Sequence, residues 1–285
     1  MIKFFTYFIQ SIIIYLLFLI GKLIGINLSR SLFSKIFEKF GSKFRSKKII
    51  EKNLEIFSKN LSLEKKNEII SNMWKNYGKT FIEYIFLNQF NKDISNIEID
   101  GENYLKKIIE NKKPVIFVSG HFANYELMSM EIVKKKIKLA TIYRPLNNYF
   151  LNPMMEYLRR KYVCKNQIKK GVSGVREAID YIKKDYSVAL MIDQRVSEGE
   201  KINFFGKLAS TTTLPAQLAL KYNLSIIPVF IERKENDKFR IKFYNEIEAK
   251  NYKNKLELSE KLNKILEEMI IYKPDQWIWS HNRWK

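Results

Sequence analysis

With 285 residues, 46% of them hydrophobic, the chain is long enough for one large core or two small ones, and nothing resembling a linker divides it. The single cysteine, Cys164, excludes an internal disulfide and a cysteine-held metal cluster, and no His/Asp/Glu group has ligand spacing, so neither a metal nor another cofactor is expected. The excess of 51 Lys and Arg over 30 Asp and Glu, a formal +21, draws anionic partners: nucleic acid, an anionic membrane surface, a phosphorylated lipid or an acidic protein.

Residues 4–26 are apolar apart from Thr6, Gln10, Ser11, Gly21, Lys22 and Gly25, which is enough to span a bilayer or nearly so. Gly-Lys-Leu-Ile-Gly at 21–25 offers no small-residue cleavage site, so residues 1–26 are expected to remain as a membrane-anchoring helix that either spans the bilayer or lies in its interface. Lys22, Arg30, Lys35, Lys39, Lys43, Arg45, Lys47 and Lys48 follow, and the positive-inside rule puts the bulk of the chain, residues 27–285, in the cytoplasm. Residues 27–94 predict a helical part, with apolar residues at three- and four-residue spacings over 46–57 and 63–90. Leu61, Ser62 and Leu63 supply the connection and the cap, and the aromatic residues Trp74, Tyr77, Phe81, Tyr84 and Phe86 read as core.

Across 95–285, strands alternate with helices. The predicted strands are 97–99, 115–119, 139–143, 187–193, 225–231 and 239–244; the predicted helices are 123–136, 149–162, 173–184, 213–222 and 256–272. Helical crossovers of this length predict an α/β fold, a mainly parallel central sheet flanked by helices. Ligand sites in such sheets lie beyond the carboxyl ends of the strands, and His121, Arg144 and Asp193-Gln194 each follow such an end. The charged, glycine-containing stretch 195–210 reads as a mobile flap over them. No internal repeat, phosphate loop or nucleic-acid motif occurs, so no nucleic acid is expected as a partner.

The chemistry concentrates at 114–127, where the apolar run Val115 to Val118 breaks at Gly120 and delivers His121, with Glu126 five residues on. Five residues along one helix would place two side chains roughly 140° apart, so His121 must lie in the turn if Glu126 is to reach its ring. In that arrangement Glu126 accepts the Nδ1 proton and leaves Nε2 as a base for a substrate hydroxyl. The bland alternative is that His121 is only a polar residue in a turn. Cys164 has no orienting histidine beside it, and His281 among Trp277, Trp279 and Trp284 reads as packed rather than catalytic.

Gly120-His121-Phe122-Ala123-Asn124-Tyr125-Glu126 resembles the G-H-x-G-N-W-E signature of the lipid A biosynthesis lauroyl/myristoyl acyltransferases, whose H-x4-D/E motif is shared with glycerolipid acyltransferases. The likeness continues through Tyr143-Arg144-Pro145, Leu158-Arg159-Arg160-Lys161, Asp193-Gln194, Phe204-Phe205-Gly206, Thr211-Thr212-Thr213 and the ending Pro274 to Lys285. Two residues depart from the pattern: Ala123 stands where the family often has Gly, and Leu214 stands before Pro215 where Gly is common.

The resemblance implies a glycerolipid-acyltransferase-like fold and a membrane-associated O-acyltransferase at the inner membrane. It implies acyl carrier protein as thioester donor, with acyl-CoA equally compatible on charge, and a lipid A precursor as the anionic glycolipid acceptor. His121, Glu126 and Arg159 are the expected catalytic residues; Arg144, Asn124, Arg160, Asp193 and Gln194 are the expected substrate-binding ones. Part of the aromatic face of the helical region is a candidate lining for an acyl channel. Acylation of another phospholipid or glycolipid is the alternative within the class, and a non-catalytic basic membrane-surface or nucleic-acid-binding module is the alternative outside it.

Overall fold

A computed structural model describes residues 2–92 and 96–285. The helical part comprises α1 (Ile2–Ile24), α2 (Ile26–Phe44), α3 (Lys47–Phe57), α4 (Leu63–Glu83), a 3-10 turn (Tyr84–Phe86) and α5 (Leu87–Lys92). The remainder runs β1 (Ile97–Asp100), α6 (Glu102–Asn111), β2 (Ile116–Ser119), α7 (Glu126–Lys134), β3 (Leu139–Tyr143), α8 (Asn152–Tyr162), β4 (Asn166–Lys169), α9 (Val172–Ile182) and β5 (Ser187–Met191). It continues with β6 (Glu200–Phe204), β7 (Lys207–Thr211), α10 (Leu214–Tyr222), β8 (Ser225–Arg233), β9 (Phe239–Phe243), β10 (Ile247–Glu248) and α11 (Lys255–Tyr272). The boundary expected between 94 and 95 lies outside the described residues.

The central sheet has the order β1-β9-β8-β2-β5-β3-β4. The five strands from β8 to β4 are parallel, whereas β9 and β10 pair antiparallel with β8, and β1 adds parallel to β9. The sheet is therefore mainly parallel, as expected, with a reversed edge. All four residues of β2 are buried, which accounts for its unbroken apolar reading. Register then positions the chemistry. Ser119 pairs with Met191, so residues two steps beyond each strand, His121 and Asp193, emerge at one level. Tyr143 pairs with Lys169, which sets Arg144 beside Lys170 in the same way.

One stripe of α1 packs on the body. Phe18 and Gly21 are buried against Phe81 and Ile82, and Lys22 donates from Nζ to the Ile85 carbonyl at 3.1 Å. From its middle, Tyr15 donates to the Phe150 carbonyl at 2.8 Å, and towards its N-terminal end the Tyr7 carbonyl accepts from Asn148 at 2.9 Å. The opposite face leaves Phe4, Phe5, Phe8, Ile12, Leu16 and Leu23 exposed, among others.

The structure corrects several sequence expectations. The helix expected over 63–90 ends at Glu83 and turns through the 3-10 segment, and the one expected from 123 begins at Glu126. The stretch 195–210, expected to be a mobile flap, is largely the hairpin β6–β7, with five paired positions and a turn that puts Phe205 and Gly206 at φ 53° and 70°. Its ends are fixed from elsewhere: Asn263 of α11 donates to the Asn203 carbonyl at 2.8 Å and Arg283 donates to the Ser210 carbonyl at 2.6 Å. Helix α6 was not expected, and the short strands β4 and β10 were not legible, because β4 has one apolar residue, Ile168, among its four and β10 is only two residues long. Ser62 does cap α4, accepting from the Lys65 amide at 3.2 Å.

Helices α2 and α4 meet at Gly78, where an added Cβ would lie 2.3 Å from the Phe33 carbonyl oxygen and 2.9 Å from Phe37 Cβ. Gly78→Ala therefore forces the two helices apart, and a loss of about 1–3 kcal/mol is expected as for other overpacked cores. Thermal melts of the purified protein check this; an unchanged midpoint would mean that the contact gives way freely.

Candidate active site

His121 lies in the turn between β2 and α7, as the spacing requires, but the carboxylate on its ring is Asp193. His121 Nδ1 stands 2.7 Å from Asp193 Oδ1, and the His121 backbone amide donates to Oδ2 at 2.8 Å. A third donor comes from the C-terminal tail, where Trp277 Nε1 reaches the same Oδ2 at 2.8 Å. Burial pushes the Asp193 carboxyl up, but the imidazole charge and these hydrogen bonds outweigh it and hold the group at about 2. An ionised Asp193 only accepts, so Nδ1 carries the proton and Nε2 is the free base position. Gln194 lies beside it, its Nε2 3.5 Å from the ring nitrogen.

Glu126, expected in that role, opens α7 and turns its carboxylate the other way. It accepts from Arg159 Nε at 2.8 Å, pairs with Arg159 Nη2 at 2.7 Å, and accepts from the Tyr84 hydroxyl. The physical reason is burial on the α8 side of the turn, where the carboxylate meets the Arg159 guanidinium; the level of the β5 end gives Asp193 the imidazole instead. Burial lowers the Arg159 guanidinium, but the Glu126 charge more than reverses this and keeps it firmly cationic. The guanidinium also lies over the Tyr84 and Tyr143 rings at 5.6 and 5.5 Å, and among the described residues its Nη1 has no hydrogen-bond partner.

Tyr125 joins the two pairs. Its ring sits edge-on to the His121 ring at 4.7 Å, and its hydroxyl is 3.2 Å from that of Tyr84, which takes a 2.9 Å hydrogen bond from Arg159. Burial pushes the Tyr125 hydroxyl up to about 12, so it stays protonated.

The turn is braced from three directions. Thr80 donates to the Ala123 carbonyl at 3.0 Å, the Ala123 amide donates to the Gln276 carbonyl at 3.2 Å, and Phe122 bridges to Trp277. Ala123 takes a φ of 42°, a left-handed value that favours glycine, so it is here and not at Gly120 that backbone freedom is required. Gly120 is needed for space: a Cβ there would meet Phe122 at 2.7 Å and Leu266 at 2.9 Å.

Two of the expected substrate-binding residues, Asn124 and Arg160, make hydrogen bonds within the protein. Asn124 is buried and donates to Glu83 at 2.9 Å, in a cluster where Glu83 also pairs with Arg30 at 2.7 Å and Arg233 at 2.5 Å. Arg160 donates to the Lys165 carbonyl at 3.1 Å and reaches towards that of Gln167, tying α8 to β4. Arg144 is exposed at the end of β3, with Asn147 at 3.4 Å. His281 is packed as expected: its Nε2 accepts from the Arg195 amide at 2.8 Å, and burial lowers its basicity. Cys164 is buried, donates to the Leu139 carbonyl at 3.2 Å, and burial pushes its thiol up to about 11.

Sequence reasoning missed Glu83, Arg30, Arg233 and Tyr84. A signal was present for Glu83: a lone acid inside Phe81-Ile82-Glu83-Tyr84-Ile85-Phe86 implies a buried counterion. No group of three or more His, Cys, Asp or Glu that would hold a metal occurs among the described residues.

The bacterial lipid A biosynthesis acyltransferase family matches the chain over residues 2–285. The chain belongs to this family. It is therefore an acyltransferase of lipid A biosynthesis. The lipid A biosynthesis palmitoleoyltransferase of Escherichia coli (strain K12) is 24% identical over 250 residues, which cover 85% of this chain and 79% of that protein. The lipid A biosynthesis acyltransferase of Shigella flexneri matches to the same extent, 24% identical over 85% of this chain and 79% of its own length. Among solved structures, the 1-acyl-sn-glycerophosphate acyltransferase PlsC of Thermotoga maritima aligns with 89% of this chain and 100% of its own, at 14% identity and a TM-score of 0.43.

Asp193 gives the site a pH signature. Its folded value of about 2 lies below the unfolded value near 3.9, so its stabilisation is complete above about pH 4 and is lost as the pH falls towards 2. Asp193→Asn should melt below the wild type at neutral pH, and its midpoint should decline less between pH 5 and pH 3. Parallel declines would show that Asp193 is not the group holding the turn.

Proposed function

We propose that the protein transfers a fatty acyl chain from an acyl thioester, carried by acyl carrier protein, to a hydroxyl of a lipid A precursor at the cytoplasmic face of the inner membrane. The observation that supports this reading most is the His121–Asp193 pair at the level where β2 and β5 end, with Nε2 left as the acceptor. Neutral His121 removes the proton from the acceptor hydroxyl as its oxygen attacks the thioester carbonyl. The tetrahedral intermediate collapses with loss of the thiolate, and the imidazolium returns the proton to sulfur. Asp193 holds the tautomer and balances the imidazolium charge.

Arg159 takes the second role, stabilising the developing oxyanion with its unengaged Nη1, and Glu126 holds the guanidinium for it. Gln194 beside His121 Nε2 is the substrate-contacting residue of the strand end. The donor and acceptor are both anionic, which accords with the net charge of +21. The exposed apolar face of α1 rests in the bilayer, and residues 27–285 form the catalytic domain beside it. Helix α1, 23 residues with a mean hydropathy of 2.1 and little of it buried, is long and apolar enough to cross a membrane.

Kinetics of purified protein with acyl carrier thioester and lipid acceptor test this reading. His121→Ala and Asp193→Ala should each lower kcat by about 10²- to 10⁴-fold, and the double variant should be scarcely worse than His121→Ala. Glu126→Gln and Arg159→Ala should form a second non-additive pair, with Arg159→Lys restoring only part of the rate because an ammonium makes no two-point contact. Consumption of thioester at the wild-type rate by His121→Ala would overturn the mechanism.

A further inference from the structure

Helix α1 presents two opposite stripes. Phe5, Ile9, Ile12, Leu16, Leu19 and Leu23 recur at three- and four-residue intervals and are all exposed. Tyr7, Ser11, Ile14, Phe18 and Gly21 recur in the same way on the other side and are buried or half-buried against the body. No charge interrupts the helix between Lys3 and Lys22.

The body holds α1 along nearly its whole length. At one end Lys22 donates to the Ile85 carbonyl at 3.1 Å, and a Cβ on Gly21 would meet Ile82 at 2.7 Å. In the middle Tyr15 donates to the Phe150 carbonyl at 2.8 Å. Towards the other end the Tyr7 carbonyl accepts from Asn148 at 2.9 Å, and the Phe4 and Phe8 rings lie 5.3 and 5.5 Å from that of Phe150. From Tyr7 to Lys22 the helix runs about 22 Å at a rise of about 1.5 Å per residue.

The chain leaves α1 at Gly25 and enters the body through α2, so a spanning α1 would put Tyr7 deep in a hydrocarbon core about 30 Å thick. The segment 144–151, bonded to α1 at Tyr7 and Tyr15, would go in with it. That segment has irregular backbone and carries the exposed Arg144 and Asn147, which hydrocarbon does not tolerate. Laid along the surface, the same helix meets no such conflict: its outer stripe enters the lipid, its inner stripe stays on the body, and Lys3 and Lys22 remain at the level of anionic headgroups.

We propose that α1 is a monotopic element, lying in the plane of one leaflet with its N-terminus on the same side of the membrane as the body, and that the exposed Leu146 and Tyr149 of the adjoining loop enter that leaflet beside it. This rests on the reading of α1 as the element that meets the bilayer. The loop directly follows the carboxyl end of β3, which neighbours β5 in the sheet. The strand ends that carry His121 and Asp193 are thereby held at the surface of the leaflet, where the hydroxyl of an amphiphilic acceptor lies.

Cysteine labelling separates the two dispositions. In a Cys164→Ser background, Ile2→Cys and the exposed body position Lys253→Cys are introduced singly and treated with a membrane-impermeant maleimide, in intact spheroplasts and after lysis. Both should label only after lysis. Labelling of Ile2→Cys in intact spheroplasts, with Lys253→Cys protected, overturns the in-plane placement. Depth is measured separately on Phe5→Cys, Ile12→Cys and Leu19→Cys, each carrying an environment-sensitive fluorophore, in vesicles of phosphatidylethanolamine and phosphatidylglycerol. Quenchers held near the headgroups should act on all three alike and more strongly than quenchers at the chain ends; deep quenching greatest at Ile12→Cys is the pattern of a spanning helix and contradicts the proposal. If the protein does not float with the vesicles, lipid is not what covers the outer stripe, and the membrane reading of α1 fails with the proposal. Thioester consumption with detergent-dispersed substrates then still tests the acyl-transfer reading by itself. Melting midpoints within the wild-type range establish that the variants fold.

Discussion

The three hydrogen bonds onto the buried Asp193 carboxylate are the constraint on which the site depends. Two come from His121, through its ring and its own amide, and one comes from Trp277, some 84 residues further along the chain. A carboxylate this deeply buried is stable as an anion only because every donor is in place. The same bonds lock the imidazole tautomer, draw the β2–α7 turn onto the end of β5, and attach the C-terminal tail to both. The tail is thereby part of the active site although none of its side chains is proposed to touch a substrate. Asn53 of α3 reinforces it by donating to the Trp279 and His281 carbonyls at 2.8 and 2.7 Å.

Two further buried carboxylates extend this arrangement into the helical part. Glu126 reaches α8 through Arg159, and Glu83 at the end of α4 collects Arg30 of α2, Arg233 at the end of β8 and Asn124 of the turn. Burial alone would neutralise Glu83, but Arg233 and then Arg30 keep it ionised. Removing one partner from such a cluster leaves an uncompensated charge, so each of these residues holds several elements in register at once. Because α2 and α4 also clasp α1, and the 148–150 segment is bonded to α1 directly, the apolar helix and the catalytic turn belong to one continuous packing arrangement.

The architecture was largely legible in the sequence because it is encoded locally. Buried β2 and β5 read as apolar runs, the crossover helices separate them, and the motif from Gly120 to Glu126 pointed to the right turn. The pairing within the site was not legible in the same way. H-x4-E offers a nearby carboxylate, and proximity in sequence favoured Glu126. The partner is set by strand register, a property of two segments 72 residues apart that no local spacing encodes. The Asn124 contact was hidden for a related reason: a polar residue near a catalytic motif reads the same in sequence whether or not it donates to a buried glutamate. The hairpin β6–β7 was read as a flap because its charges and glycines resemble those of a loop, while the residues that fix it, Asn263 and Arg283, lie far along the chain.

The central claim is that Asp193, and not Glu126, holds the Nδ1 proton of His121. Proton NMR of the imidazole, with His281→Gln used to assign the two histidines, tests it directly. A downfield Nδ1–H resonance of His121 should persist in Glu126→Gln and disappear or move strongly upfield in Asp193→Asn. A resonance that survives in Asp193→Asn and is lost in Glu126→Gln would contradict the account.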